Sequence, residues 1–216
     1  MPSRVPTGVI EVELNDGSWA WIRPIRPDDA PALARGFERL SPDSRYKRFL
    51  TPIERLTRSQ LEYLTNIDHR RHEAMIAFDP GHPGEVVGVG RYVRDDGTDR
   101  AEAAVTVADH WQGRGLGTAL TRILAGRAQE EGIDCLTALL LADNDEMTAL
   151  LEDVGEVRIT ERDGGTVAVD VPLDAELTGD PALRRVLRTV AESPSVDLAS
   201  VPGESVEGEA PPDSEG

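Results

Sequence analysis

From residue 105 to residue 120 the chain reads Val-Thr-Val-Ala-Asp-His-Trp-Gln-Gly-Arg-Gly-Leu-Gly-Thr-Ala-Leu: a β-branched strand, a turn, and at once a helix. Three glycines, Gly113, Gly115 and Gly117, stand at alternating positions where strand becomes helix. Glycine at that density costs backbone entropy, so the pattern calls for a physical reason. A helix start exposes N–H groups that have no intrahelical partner and carries about half a positive charge. Glycines let an anion reach those groups with no Cβ in the way. Residues 112–118 therefore read as a phosphate or pyrophosphate cradle, with Arg114 placed to add a charged contact. Other phosphate motifs do not fit. No lysine follows Gly117, as a Walker loop needs, and Gly113-x-Gly115-x-Gly117 lacks the Gly-x-Gly-x-x-Gly spacing of a dinucleotide fingerprint.

The remaining periods set the frame around this turn. Residues 9–14 and 19–25 are strand-like and joined by Asn15-Asp16-Gly17, a hairpin signal. Asp28 or Asp29 caps a helix striped by Ala30, Leu33, Ala34 and Phe37; Ser41-Pro42 opens another helix turn. Thr57-Arg58-Ser59-Gln60 has the form of a capping box. Strands follow at 73–78, 85–94 and 101–108, with turn-rich segments at 79–84 and 95–99. The helix after the glycine turn ends at Gly132, and the apolar run 136–142 reads as a fully buried strand. Asp143-Asn144-Asp145-Glu146 reads as a second capping box, and 156–161 with 166–173 as a closing hairpin. Strands in blocks imply an α/β (α+β) domain on one mixed sheet, not a doubly wound one.

Composition bounds the partners. The formal charge of -17 argues against nucleic acid, whose phosphates need clustered Lys and Arg. No apolar run approaches the roughly 18 residues of a membrane span, and Met1-Pro2-Ser3-Arg4 precedes no apolar signal core. One cysteine, Cys135, fits a reducing cytoplasm. Residues 193–216 hold six acids, no Lys or Arg and no aromatic, which predicts a disordered acidic tail. Before it, Leu183, Val186, Leu187 and Val190 have helical spacing. The expected division is an N-terminal strand and hairpin at 1–17, the main domain at 18–175, a short helix at 176–192 and the tail at 193–216.

Gln112-x-x-Gly115-x-Gly117 behind a strand resembles the signature of the GNAT superfamily of acetyl-CoA-dependent acyltransferases, and the likeness runs from residue 22 to residue 171. Arg23-Pro24-Ile25-Arg26-Pro27-Asp28-Asp29, Ser41-Pro42-Asp43-Ser44-Arg45-Tyr46, residues 64–69 and Val87-Gly88-Val89-Gly90-Arg91-Tyr92 resemble a narrower branch, the Pat-type bacterial protein lysine acetyltransferases. The resemblance implies a single mixed, mostly antiparallel twisted sheet flanked by helices. It implies that the backbone of Val105, Thr106 and Val107 pairs with the pantetheine arm of acetyl-CoA. The N–H groups of Gln112, Gly113, Arg114, Gly115, Leu116, Gly117 and Thr118 would hold the pyrophosphate, and Asn144 matches a donor-contacting position. It further implies direct acetyl transfer to an amine, a protein lysine or a small molecule, with no acyl-enzyme and no metal. Cys135 accordingly reads as a core residue.

Direct transfer needs a neutral amine. A lysine of pKa 10.4 is uncharged about one part in 10³ at pH 7, a handicap of roughly 4–5 kcal/mol that a base relieves. Glu102, on the strand before the cradle, is the candidate base, with an ordinary strand-end surface glutamate as the competing reading. The tyrosine that many superfamily members carry after the Asn144 position is absent from Met147-Thr148-Ala149-Leu150-Leu151-Glu152, so water is left to protonate the leaving thiolate. That absence also keeps open a non-catalytic acetyl-CoA sensor. His69 and His72 have no companion ligands for a metal and read as a solvated loop. Arg45, Lys47 and Arg48, with Tyr46 and Phe49, either border the acceptor groove or form a plain polar helix face.

Overall fold

The computed structural model describes residue 6 and residues 8–173; the expected helix at 176–192 and tail at 193–216 lie outside the described residues. The period-2 segments form β1 (Ile10–Glu13), β2 (Trp19–Pro24), β3 (His72–Asp79), β4 (His82–Arg94), β5 (Arg100–Val107), β6 (Cys135–Leu141), β7 (Arg158–Asp163) and β8 (Thr166–Pro172). They build one eight-stranded sheet in the order β1-β2-β3-β4-β5-β6-β8-β7. Among the described residues every junction is antiparallel except β5–β6. The mixed, mostly antiparallel sheet inferred from the sequence is thus the one found.

Helices α1 (Ala30–Arg39), α2 (Pro42–Phe49) and α3 (Arg58–Thr65) intervene between β2 and β3, and α4 (Leu116–Glu130) and α5 (Asp145–Glu152) flank β6. Alternation along the strands sends side chains to the two faces of the sheet. Trp21, Ile76, Phe78 and Val86 pack with Leu33 of α1 and Leu64 of α3 on one face. Ile22, Met75, Ala77 and Val87 pack with Leu116, Leu120 and Ile123 of α4 on the other. Gly88 and Gly90 bring α4 close: a Cβ at Gly88 would lie 2.9 Å from Leu120 Cδ1.

Two capping motifs of the first helices form with side-chain bonds. Ser41 Oγ accepts from Ser44 N at 3.1 Å, and Thr57 and Gln60 cap each other reciprocally. The Arg23–Asp29 segment has an internal logic of its own. Arg23 donates to both carboxylate oxygens of Asp29 at 2.7 Å, the pair is buried, and Asp29 also accepts from Arg26 N at 2.8 Å. This polar knot fixes the chain as it leaves β2 for α1.

Three expectations need correction. β6 is not fully buried: Leu136, Ala138 and Leu140 pack under α4 and α5, but Leu139 is 50% exposed. The helices on its other face cover the strands before it, and an apolar run does not reveal how far they reach. The α5 cap is Asn144, which accepts from Met147 N, rather than an Asp143–Glu146 box. The β3–β4 turn is also tighter than residues 79–84, since Asp79 already pairs with His82.

Candidate active site

The parallel ladder between β5 and β6 runs from Arg100↔Cys135 to Glu102↔Thr137 and stops there. β5 nevertheless continues to Val107 and β6 to Leu141, so the strands diverge. Beyond Glu102 the edge of β5 that faces β6 has no strand partner among the described residues. A groove of about 400 Å³ opens at this point. Ala103, Ala104, Val105, Thr106 and Val107 line one side of it, and Leu139 and Leu140 the other. It ends on Gly113, Gly115, Gly117 and Thr118, while Lys47 of α2 and Asn144 and Met147 of α5 wall it.

The glycine turn supplies the polar end of the groove. Gly115 is the N-cap of α4 at φ 91°, with no side-chain cap on the helix. The first N–H groups of α4 are left to whatever enters the groove. Gly113 also has a left-handed φ, 71°, and a Cβ there would meet open space. The other two glycines are required by packing as well as by access. A Cβ on Gly115 would come within 2.9 Å of the Asn15 side chain, and one on Gly117 within 3.0 Å of Leu150. Asn15 N donates to Arg114 O at 2.9 Å, so the tip of the β1–β2 hairpin rests on the turn.

The remaining residues singled out from the sequence fall into place around it. Arg114 turns toward the hairpin: its Nε lies 3.1 Å from Asp16 and its guanidinium 4.9 Å over the Trp111 ring. Gln112 is a brace, donating its side-chain amide to Val107 O at 3.1 Å and Ser44 Oγ at 3.3 Å. Leu116 is fully buried in the core, which leaves its backbone alone to serve the turn. Asn144 is 8% exposed, and its Oδ1 is held by Met147 N at 3.2 Å. Asp109, which the sequence did not single out, accepts from Ser41 N, Ser41 Oγ and Ser44 Oγ at 2.7–2.9 Å and ties α2 to the turn.

A second cavity of about 390 Å³ adjoins the groove, with Arg48 and Ala104 bordering both. Glu102, exposed on β5, lines it together with Phe49, Leu56, Tyr63, Leu64 and Arg91. Of the basic residues on α2, Arg45 is committed to the carbonyls of Leu40, Glu38 and Glu54. Lys47 spans the groove mouth between Asp43 and Glu146, at 3.1 and 3.6 Å. Its pKa is raised, first by the hydrogen bond to Asp43. Only Arg48 points between the two cavities. Cys135 lines neither and burial raises its thiol pKa. No tyrosine, histidine or cysteine lines the groove among the described residues.

The histidine segment is not a solvated loop. His69 takes φ 57° and its Nδ1 lies 2.8 Å from Glu73 Oε1. Glu73 is fully buried and its other oxygen meets Arg127 Nε at 3.3 Å. His72 sits against the Tyr63 ring and Arg91, and burial followed by the Arg91 charge pushes its pKa down to about 4. Among the described residues no cluster is suited to a metal, and no helix is long and apolar enough to cross a membrane.

The mixed sheet and its flanking helices agree with comparison to known proteins. A model of the acetyltransferase (GNAT) family matches residues 37–155. The chain is 33% identical over 158 residues to Acetyltransferase PA5475 of Pseudomonas aeruginosa, covering 72% of this chain and 84% of that one. It is 32% identical over 194 residues to Acetyltransferase Pat of Mycolicibacterium smegmatis, covering 85% of this chain but spanning only 57% of that protein. The crystal structure of the GNAT domain of S. lividans PAT superposes with a TM-score of 0.70 at 31% identity, over 77% of this chain and 97% of that domain. The chain belongs to the GNAT family of acetyltransferases.

Proposed function

We propose that the protein transfers an acetyl group from acetyl-CoA directly to the ε-amine of a protein lysine. The observation that carries this reading is the edge of β5 beyond Glu102, which has no strand partner among the described residues and leads through the glycine turn to the start of α4. An extended pantetheine arm has amides that complement the free edge at Val105, Thr106 and Val107. A diphosphate suits the first-turn N–H groups and the positive end of α4. The choice of lysine rests on the resemblance of the Arg23–Asp29 segment and the other Pat-like segments, and on the likeness to acetyltransferases named Pat.

In this reading the acceptor enters through the cavity that holds Glu102. The carboxylate removes the amine proton, directly or through water, and so restores the neutral nucleophile. The amine nitrogen then bonds to the thioester carbonyl carbon, the C–S bond breaks, the nitrogen gives its remaining excess proton to water, and the departing thiolate takes a proton from water. The groove offers no tyrosine, histidine or cysteine for that last step among its described residues. A thiol is acidic enough to leave without one.

Glu102→Gln keeps shape and removes the base. Turnover of a lysine peptide with acetyl-CoA should fall by about 10²–10⁴, while calorimetry finds CoA affinity unchanged. Equal turnover in both forms would remove Glu102 from the reaction. CoA failing to bind the unaltered protein at millimolar concentration would sink the whole assignment.

A further inference from the structure

The acceptor-side cavity contains more positive charge than an amine substrate calls for. Arg91 projects from β4 into it, 6% exposed, held by Leu64 O and His72 Nε2, both at 3.1 Å. Arg48 reaches the same cavity from α2 and stacks over Phe49 at 4.8 Å. Among the described residues neither guanidinium has a carboxylate at ion-pair distance, and Arg48 makes no hydrogen bond. The two cations sense each other: burial and then the Arg48 charge lower the pKa of Arg91 to about 9. Like charges brought together in a partly desolvated cavity are unfavourable unless anions balance them, and Glu102, the single carboxylate among the described residues lining it, sets one negative charge against two positive ones. Arginine is the side chain that holds a carboxylate in a two-pronged geometry.

Register places this pair relative to the proposed base. Val93 is paired with Glu102 and Arg91 with Ala104, so Arg91 and Glu102 share a face as diagonal neighbours. Diagonal neighbours of an antiparallel pair lie about 7–8 Å apart. An amine at Glu102 would therefore have Arg91 about one residue's reach away, with Arg48 lining the same cavity. On the reading of the site as an acetyltransferase, we infer that Arg48 and Arg91 recognise a carboxylate of the acceptor, so that the enzyme selects lysines with an acidic residue next to them. The lowered Arg48 pKa, caused first by burial and opposed by the Glu102 charge, agrees with a cation lacking a full partner.

Binding of reaction products tests this without depending on turnover. The probes are end-capped pentapeptides with acetyl-lysine at the centre and either glutamate or glutamine on each side. They are titrated by calorimetry into the full 216-residue protein in the presence of CoA. A glutamate peptide should bind at least about tenfold tighter than its glutamine counterpart, equivalent to about 1.4 kcal/mol. That preference should drop to about one in Arg48→Gln and partly survive in Arg48→Lys, with thermal unfolding confirming that both variants fold. Equal affinity for the two peptide types in the unaltered protein overturns the inference, as does no binding of either. Lost turnover in Glu102→Gln with the peptide preference intact would leave the two claims separately judged.

Discussion

Gly115 concentrates several requirements in one residue. It holds φ 91°, begins α4, and leaves room for the Asn15 side chain 2.9 Å from where a Cβ would sit. Gly115→Ala should cost about 1–2 kcal/mol for the left-handed backbone alone. Because the displaced neighbour is the hairpin tip, CoA affinity should fall with stability. Calorimetry and urea unfolding measure the two, and unchanged affinity would mean the turn does not face the donor. The glycine turn itself was legible, since glycines at a strand–helix junction mark backbone of positive φ, as Gly113 and Gly115 adopt. Asn15 was not: it lies 100 positions before the residue it touches, and a hairpin signal says nothing of what the hairpin rests on. Arg45, Lys47 and Arg48 were likewise indistinguishable in the sequence. Neighbouring carbonyls and carboxylates, not residue type, decide that Arg48 borders both cavities, Lys47 the groove alone and Arg45 neither.

At the level of elements, α2 is a wall of the site that the turn holds in place. No residue of α2 is fully buried; Phe49 meets the Phe37 ring edge-on, Arg45 holds nearby carbonyls, and polar ties fix the helix at its N-terminus. Asp109 supplies those ties through Ser41 and Ser44. Asp109→Ala removes three bonds to a charged acceptor, of which each is worth about 1.5–3 kcal/mol when well buried and less in this exposed setting. Stability should fall by about 1–2 kcal/mol and KM for the acceptor should rise, because Lys47 and Arg48 travel with the helix. Steady-state kinetics alongside unfolding would show it; a stability loss with KM unmoved would detach α2 from acceptor binding. The element order was readable from periodicity and caps. The exposed face of β6 was not, because burial of an apolar strand depends on what the rest of the chain places over it.

Across the whole molecule, pH acts through groups that the fold keeps from titrating normally. His72 has a folded pKa of about 4 against an ordinary 6.5. Between those values the unfolded chain binds more protons than the folded one, so stability declines as pH falls through that window and is fully present above it. The ring is only half-buried and solvent screens it in part, so the contribution is about 1–2 kcal/mol. Urea unfolding at pH 7 and pH 5 should show the loss, and His72→Gln should flatten it; parallel losses in both proteins would place the pH response elsewhere.

The short β5–β6 ladder has a mechanical consequence. Among the described residues, the strand ladder joining the β1–β5 portion of the sheet to the β6–β8 portion covers only residues 100–102 and 135–137, extended by the Asp134 N–H bond to Asp99 O and the Arg100–Asp170 ion pair. A molecule lying along the open edge would act as a further rung between the halves. The protein should then be stiffer when loaded than when empty, and each round of product release would return it to its looser form.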